Sequence, residues 1–171
     1  TTPSGAGFLA EVCRQWEGAA QPLIDAGVRS VFVRIGVVLS AEGGALHKML
    51  TPFKLGLGGR IGTGRQYMSW ISLTDLVSIF CLAIEDDALV GPINATSPMP
   101  VTNTAFTKAL GSVLGRPTVC PVPRIGLRLL FGRMGEETIG SNIGVYPRRL
   151  EAVGFTWQHT DLAELLNGCI D

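Results

Sequence analysis

Apolar residues recur with helical spacing at Phe8, Val12, Trp16, Ala20 and Ile24, with Leu9, Cys13 and Leu23 beside them, and Gly27 closes the run. This spacing predicts one helix over 8–26. The stretch 30–35 then carries Val31, Phe32, Val33 and Ile35, a short β-branched run that predicts a mostly buried strand. Gly43 and Gly44 precede a second helical pattern at Leu46, Met49, Leu50 and Phe53, which Pro52 should bend or end before the glycine-rich 56–59. Two short extended pieces are predicted, near 60–61 and over 68–71.

Ser72 with Asp75 three positions on reads as a capping box, and Leu73, Leu76, Val77, Phe80, Cys81 and Ile84 continue it as a helix. A short strand over 92–95 follows. Thr102 caps a helix whose apolar face is Phe106, Ala109, Leu110, Val113 and Leu114, ended by Gly115 and Pro117. Beyond Cys120 the pattern weakens: a helix is expected over 125–131, and 132–144 is poorly periodic. Pro147 suits the first turn of a short helix ending at Gly154, with a strand over 155–157 and a last helix from Asp161. Helices and strands alternate in the α/β manner. The stretch 88–107 holds no charge but includes Pro92, Pro98, Pro100, Asn94 and Asn103, which predicts buried strand and loop.

Composition narrows the functional classes. Among 171 residues, 14 Lys plus Arg balance 14 Asp plus Glu, which argues against a nucleic-acid footprint or an anionic membrane surface. Hydrophobic residues reach 46% and charged ones only 16%, against about 25% charged in ordinary soluble domains. Part of this surface is therefore expected to be covered. No apolar run approaches the ~20 residues of a membrane helix. Cys13, Cys81, Cys120 and Cys169 are too scattered for a zinc or redox pair, so unpaired thiols in a reducing, cytoplasmic setting are expected. The N-terminus carries no initiator Met and no signal-peptide pattern, and reads like the middle of a longer protein.

Local chemistry is sparse. His47 and His159 lack metal or triad spacing, and Asp86-Asp87 and Glu136-Glu137 read as solvated helix ends. Gly62 and Gly64 alone read as a tight turn, since a phosphate cradle needs a strand before it and a helix after it.

The wider window 62–75, GTGRQYMSWISLTD, resembles the G-x-G-x-Q-x-R-D-W-I-H-V-x-D segment of extended short-chain dehydrogenases and nucleotide-sugar epimerases, with Gly62, Gly64, Gln66, Trp70, Ile71 and Asp75 in register. The stretches 8–17, 43–59, 64–76 and 94–111 are similar to an atypical epimerase-like branch of that superfamily, so the resemblance covers nearly the whole chain. It implies the C-terminal part of a Rossmann-like parallel sheet plus a small α/β substrate-side domain. The expected division is 1–42 as a remnant of the dinucleotide-binding domain and 43–171 as the substrate side, with 88–98 a candidate to return a strand to the sheet.

The resemblance also implies NADP, or NAD, as cofactor, held mostly by an N-terminal half that is not in this chain, and a small polar substrate. Ile35, Gly36, Val37 and Val38 fall where the family lies against the nicotinamide end. Gln66, Arg60, Met68 and Ser69 are the expected substrate-side residues, although Met68 and Ser69 stand where the epimerases have arginine and aspartate, and Ser72 where they have histidine. A thioether is no anion clamp. If Glu17 matches the family glutamate, the Tyr-x-x-x-Lys positions fall on Leu9 and Cys13, and neither can donate or tune a proton as tyrosine and lysine do. Two readings stay open: an oxidoreductase or epimerase-like enzyme, and a catalytically inactive dinucleotide-binding module that regulates or interacts. A homodimer is also open. The isolated chain is expected to be inactive and to bind NADPH weakly or not at all, since the glycine turn and helix that hold the pyrophosphate are not in it.

Overall fold

A computed structural model of the chain describes residues 5, 7–122 and 142–170. The helix expected over 125–131 and the Glu136-Glu137 pair lie outside them. Helices α1 (Phe8–Ala19) and α2 (Gln21–Asp25) lead into strands β1 (Val31–Ile35) and β2 (Val37–Leu39). The single helix expected over 8–26 is thus two. Pro22, which has no N–H and clashes with the preceding turn, sits in the first turn of α2 and starts a new helix there.

Next come α3 (Gly44–Lys54), β3 (Tyr67–Met68), β4 (Trp70–Ser72), α4 (Leu73–Glu85), β5 (Gly91–Ala95), β6 (Val101–Thr102) and α5 (Asn103–Val113). Two short helices close the chain, α6 (Arg148–Ala152) and α7 (Leu162–Ile170). Helix α3 runs two residues past Pro52 and ends at Lys54, before the glycine-rich 56–59 as expected. The piece expected near 60–61 is no strand; Ile61 makes only an isolated bridge to Val122. The stretch 155–157 is not a strand either. There Phe155 and Trp157 stack edge-to-face, centroids 5.0 Å apart, and pack on the core.

The architecture is mixed α/β with parallel strands. β1 pairs with β5 in parallel, Val31 opposite Gly91 through Ile35 opposite Ala95. β2 pairs with β4 in parallel, and β3 with β6 antiparallel. The extended piece expected over 68–71 is therefore divided at Ser69, and its halves join different sheets. β1 is half-buried rather than mostly buried, because β5 is its one strand partner among the described residues.

Two apolar cores result. One gathers Leu46, Phe53, Trp70, Phe106, Leu110 and Leu166 from α3, β4, α5 and α7. The other packs Ile71, Ile79, Leu89, Ile93 and Leu150 between α4, α6 and the β1–β5 sheet. The Ser72 cap of α4 forms as expected, its Oγ accepting from Asp75 N–H at 2.9 Å, and Thr102 caps α5 from Ala105 N–H at 3.2 Å. At the other end of α4, the Arg29 guanidinium donates to the carbonyls of Ala83, Ile84, Asp86 and Leu89, which no helical N–H satisfies fully.

Candidate functional site

In open α/β sheets ligands lie beyond the carboxyl ends of parallel strands. Here those ends are Ile35 and Gly36 after β1, and Thr96 and Ser97 after β5. The chain turns sharply between β1 and β2: Gly36 N–H donates to Ala95 O at 3.1 Å and Val37 N–H to Ser69 O at 2.8 Å. A Cβ on Gly36 would stand 2.9 Å from Ser69 O and 3.0 Å from Thr96 Cγ2, so only glycine passes there without displacement. Ile35 keeps 48% of its surface exposed at this crest. Val37 and Val38 are half-buried and lean on the two cores.

A loop over 142–147 roofs the same place. Ser69 Oγ accepts from Val145 N–H at 2.8 Å and donates to Ile143 O, while Asn94 Nδ2 donates to Tyr146 O at 3.2 Å. Tyr146 itself remains half exposed. Ser97 is buried, and its hydroxyl has no hydrogen-bond partner among the described residues. Sequence reasoning passed over Asn94, Thr96, Ser97 and Tyr146. The one available signal was position, immediately beyond a short uncharged strand.

Beneath this crest, α1 docks against β1 through a two-pronged ion pair, Arg34 Nε and Nη2 to the Glu17 carboxylate, both 2.7 Å. That hydrogen bonding holds the Glu17 carboxyl below its ordinary range and raises the Arg34 guanidinium further. Cys13, at the position implied for the lysine, is exposed one turn before Glu17, and Leu9 is half-buried one turn earlier still.

The substrate-side residues expected from sequence divide. Gln66 donates to Ile61 O at 3.0 Å and Arg60 to Thr63 O at 3.5 Å, so both brace the 60–66 turn. That turn is tight, with Gly62 and Gly64 at φ of 56° and 69°, as expected. A Cβ on Gly64 would meet Thr104 Oγ1 at 2.1 Å. Met68 is buried in the first core, and Ser69 spends its hydroxyl on the 142–147 roof. The turn walls an apolar cavity of about 300 Å³ between α3 and α5.

A second cleft, about 360 Å³, opens at the carboxyl ends of β2 and β4. It is lined by Ser40, Ser72, Thr74, His159, Glu164 and Cys169, among others. Asp75 anchors its floor without water access, accepting from Gln158 N–H at 2.7 Å, His159 N–H at 3.1 Å and Ser72 Oγ at 2.6 Å. His159 Nδ1 lies 3.6 Å from the same carboxylate. Burial pushes the Cys169 thiol up, away from the reactive thiolate. Among the described residues, no group of three or more His, Cys, Asp or Glu is placed to hold a metal, and no helix is long and apolar enough to cross a membrane.

Residues 122–168 match a family described as a domain of unknown function, DUF1731. The chain is 45% identical over 163 residues to the epimerase family protein Mb2239 of Mycobacterium bovis, covering 95% of this chain and 54% of that protein. It is 40% identical to the chloroplastic epimerase family protein SDR39U1 homolog of Arabidopsis thaliana, covering 96% of this chain and 47% of that one. It superposes on a crystal structure of the human epimerase family protein SDR39U1 with NADPH at a TM-score of 0.89 and 35% identity, over 99% of this chain and 57% of the human one. The chain thus spans about half the length of the curated relatives it matches.

Proposed function

Because this chain belongs with the epimerase family over the half of those proteins that it spans, we propose that it forms the substrate side of an NAD(P)-dependent oxidoreductase or epimerase-like enzyme. The observation that carries the reading is the crest at Ile35 and Gly36, where a parallel strand ends at a bare glycine beneath the 142–147 roof. In this reading residues 1–42 belong to the dinucleotide-binding domain and 43–171 to the substrate side.

The crest fits a nicotinamide end in a restricted way. The Gly36 and Val37 N–H groups are committed to Ala95 and Ser69, so this chain would hold the ring through carbonyl oxygens and the apolar Ile35 side chain. Bound there, the cofactor supplies a hydride donor or acceptor. Gly36 lets the crest pass close to Ser69 O and Thr96 Cγ2, and the Ser69 and Thr96 hydroxyls fix the roof through Val145. Gln66 and Arg60 border the substrate side from the 60–66 turn. NADP rather than NAD, and the cytoplasm rather than an organelle such as the plastid of the Arabidopsis relative, belong to this proposal.

Titrating the full-length protein with NADPH, followed by cofactor fluorescence, tests it. Saturable binding is expected, weakened by about tenfold or more in Gly36→Val, whose branched side chain has no space. Absence of binding to a folded full-length protein sinks the reading. The second reading, a dinucleotide-binding module without chemistry, draws on Leu9 and Cys13 at the positions of the proton donor and its lysine. A hydride-transfer assay with carbonyl substrates separates the two, since any turnover removes the second.

A further inference from the structure

The cavity between α3 and α5 has a composition unlike that of the crest. Its walls include Met49, Phe53, Leu57, Ile61, Phe106 and Val122, with Gly58 and Gly59 beside them. Among the described residues, no lining side chain carries a charge. Two polar side chains line it, Asn103 and Thr107, one turn apart on α5 and each only 3% exposed. Asn103 Oδ1 is held by Ile61 N–H at 2.7 Å. The side-chain donors these lining residues offer are therefore the Asn103 amide N–H groups and the Thr107 hydroxyl. Arg60, a basic residue of the adjoining turn, donates to Thr63 O.

We propose that this cavity binds the apolar body of a neutral carbonyl compound, with the carbonyl oxygen accepting from Asn103 or Thr107, and that it excludes nucleoside diphosphates. The assignment as substrate rests on the reading above; the ligand class rests on the lining alone. A volume of about 300 Å³ lies at the small end of ligand sites, roughly 300–1,000 Å³, and suits one ring or a short branched chain. A diphosphate placed against these described walls would lose its water without gaining a cation from them, which is costly. An apolar body instead replaces water along most of its surface. The two donors then fix its orientation, and a buried donor left unpaired by an analogue lacking the carbonyl penalises that analogue.

The test uses the full-length protein and two probes, 4-phenylbutan-2-one and uridine diphosphate, followed by ligand-observed NMR and titration calorimetry with and without NADPH. The ketone is expected to bind with a Kd on the order of 0.1–1 mM, as its size allows, and uridine diphosphate not to compete. Leu57→Trp, a change at the exposed rim that projects bulk over the cavity mouth, should weaken the ketone by about tenfold or more. Thr107→Val, nearly isosteric, should weaken it by about threefold to tenfold and leave 1-phenylbutane unaffected. The NADPH titration in each variant confirms that the protein remains folded. Uridine diphosphate displacing the ketone, or ketone affinity unmoved by both variants, overturns the proposal. No ketone binding alongside normal NADPH binding overturns it too and leaves the cofactor reading standing. Ketone binding without NADPH binding supports the cavity and removes the cofactor reading.

Discussion

The helix pair α1–α2 and the helix trio α3, α5 and α7 carry apolar stripes of the same helical period, yet they end in opposite environments. On α3, α5 and α7, Leu46, Leu110 and Leu166 are fully buried against Trp70 and Phe106. On α1 no residue is buried, and Phe8 and Trp16 are 71% and 76% exposed. The trio closes on itself because β3, β4 and β6 bring its three helices around one center. Among the described residues, α1 is tied to β1 by the Arg34–Glu17 ion pair. A stripe specifies a face that seeks a partner; topology specifies whether one arrives.

Substitutions at the two places bracket this contrast. Trp70→Ala removes a buried indole whose Nε1 donates to Met99 O at 3.1 Å, and should cost about 3–5 kcal/mol in urea unfolding. A cost under about 1 kcal/mol would break the contrast from the core side. Asp75→Asn turns one of the two accepting oxygens into an NH2 donor, which opposes the backbone N–H it faces, and a loss of about 2 kcal/mol is expected. Amide hydrogen exchange should then quicken at Gln158 and His159, which the Asp75 carboxylate holds.

Glu17→Gln should cost under about 1 kcal/mol, since both partners are partly exposed. The Glu17 carboxyl is held below its ordinary value of 4.5. Its contribution is therefore full above that value and is lost as pH falls through the lower folded value. The two unfolding midpoints should converge below pH 4.5, and a gap that persists at lower pH would assign the effect to packing. Smallest of all, Trp16→Ala should shift stability by no more than about 0.5 kcal/mol while its face meets water. A loss above about 2 kcal/mol in the full-length protein would mean that another surface buries it.

Most of the local structure was legible in the residues. Ser72 and Thr102 mark two helix starts correctly because capping is decided within one turn. Gly62 and Gly64 mark a turn because their positive φ is a local property. Pro52 and Pro22 act differently on their helices. The first is tolerated because Leu50 and Phe53 remain in the core on either side of it, and the second divides a helix that the apolar pattern carried through. The strands expected near 60–61 and over 155–157 fail because extended residues become strands only when a neighbor supplies the ladder.

Of the candidate site residues, the crest at Ile35 to Val38 was legible only through resemblance, and its roof at 142–147 through nothing in the sequence. Asn94 and Ser97 lie in the 94–111 stretch that carries the resemblance but were given no role there; pairing of β5 with β1 sets Asn94 opposite Arg34, and Tyr146 reaches Asn94 only through its carbonyl. By itself the sequence determined the helix caps, the turn glycines, the apolar stripes and the neutral charge, all of which act over one or two turns of backbone. The tertiary structure decided which stripes are buried, that Met68 lies in a core, and that α3 and α5 enclose a cavity with two buried polar groups. Those outcomes depend on contacts between segments distant in the chain, whose energies no local pattern encodes.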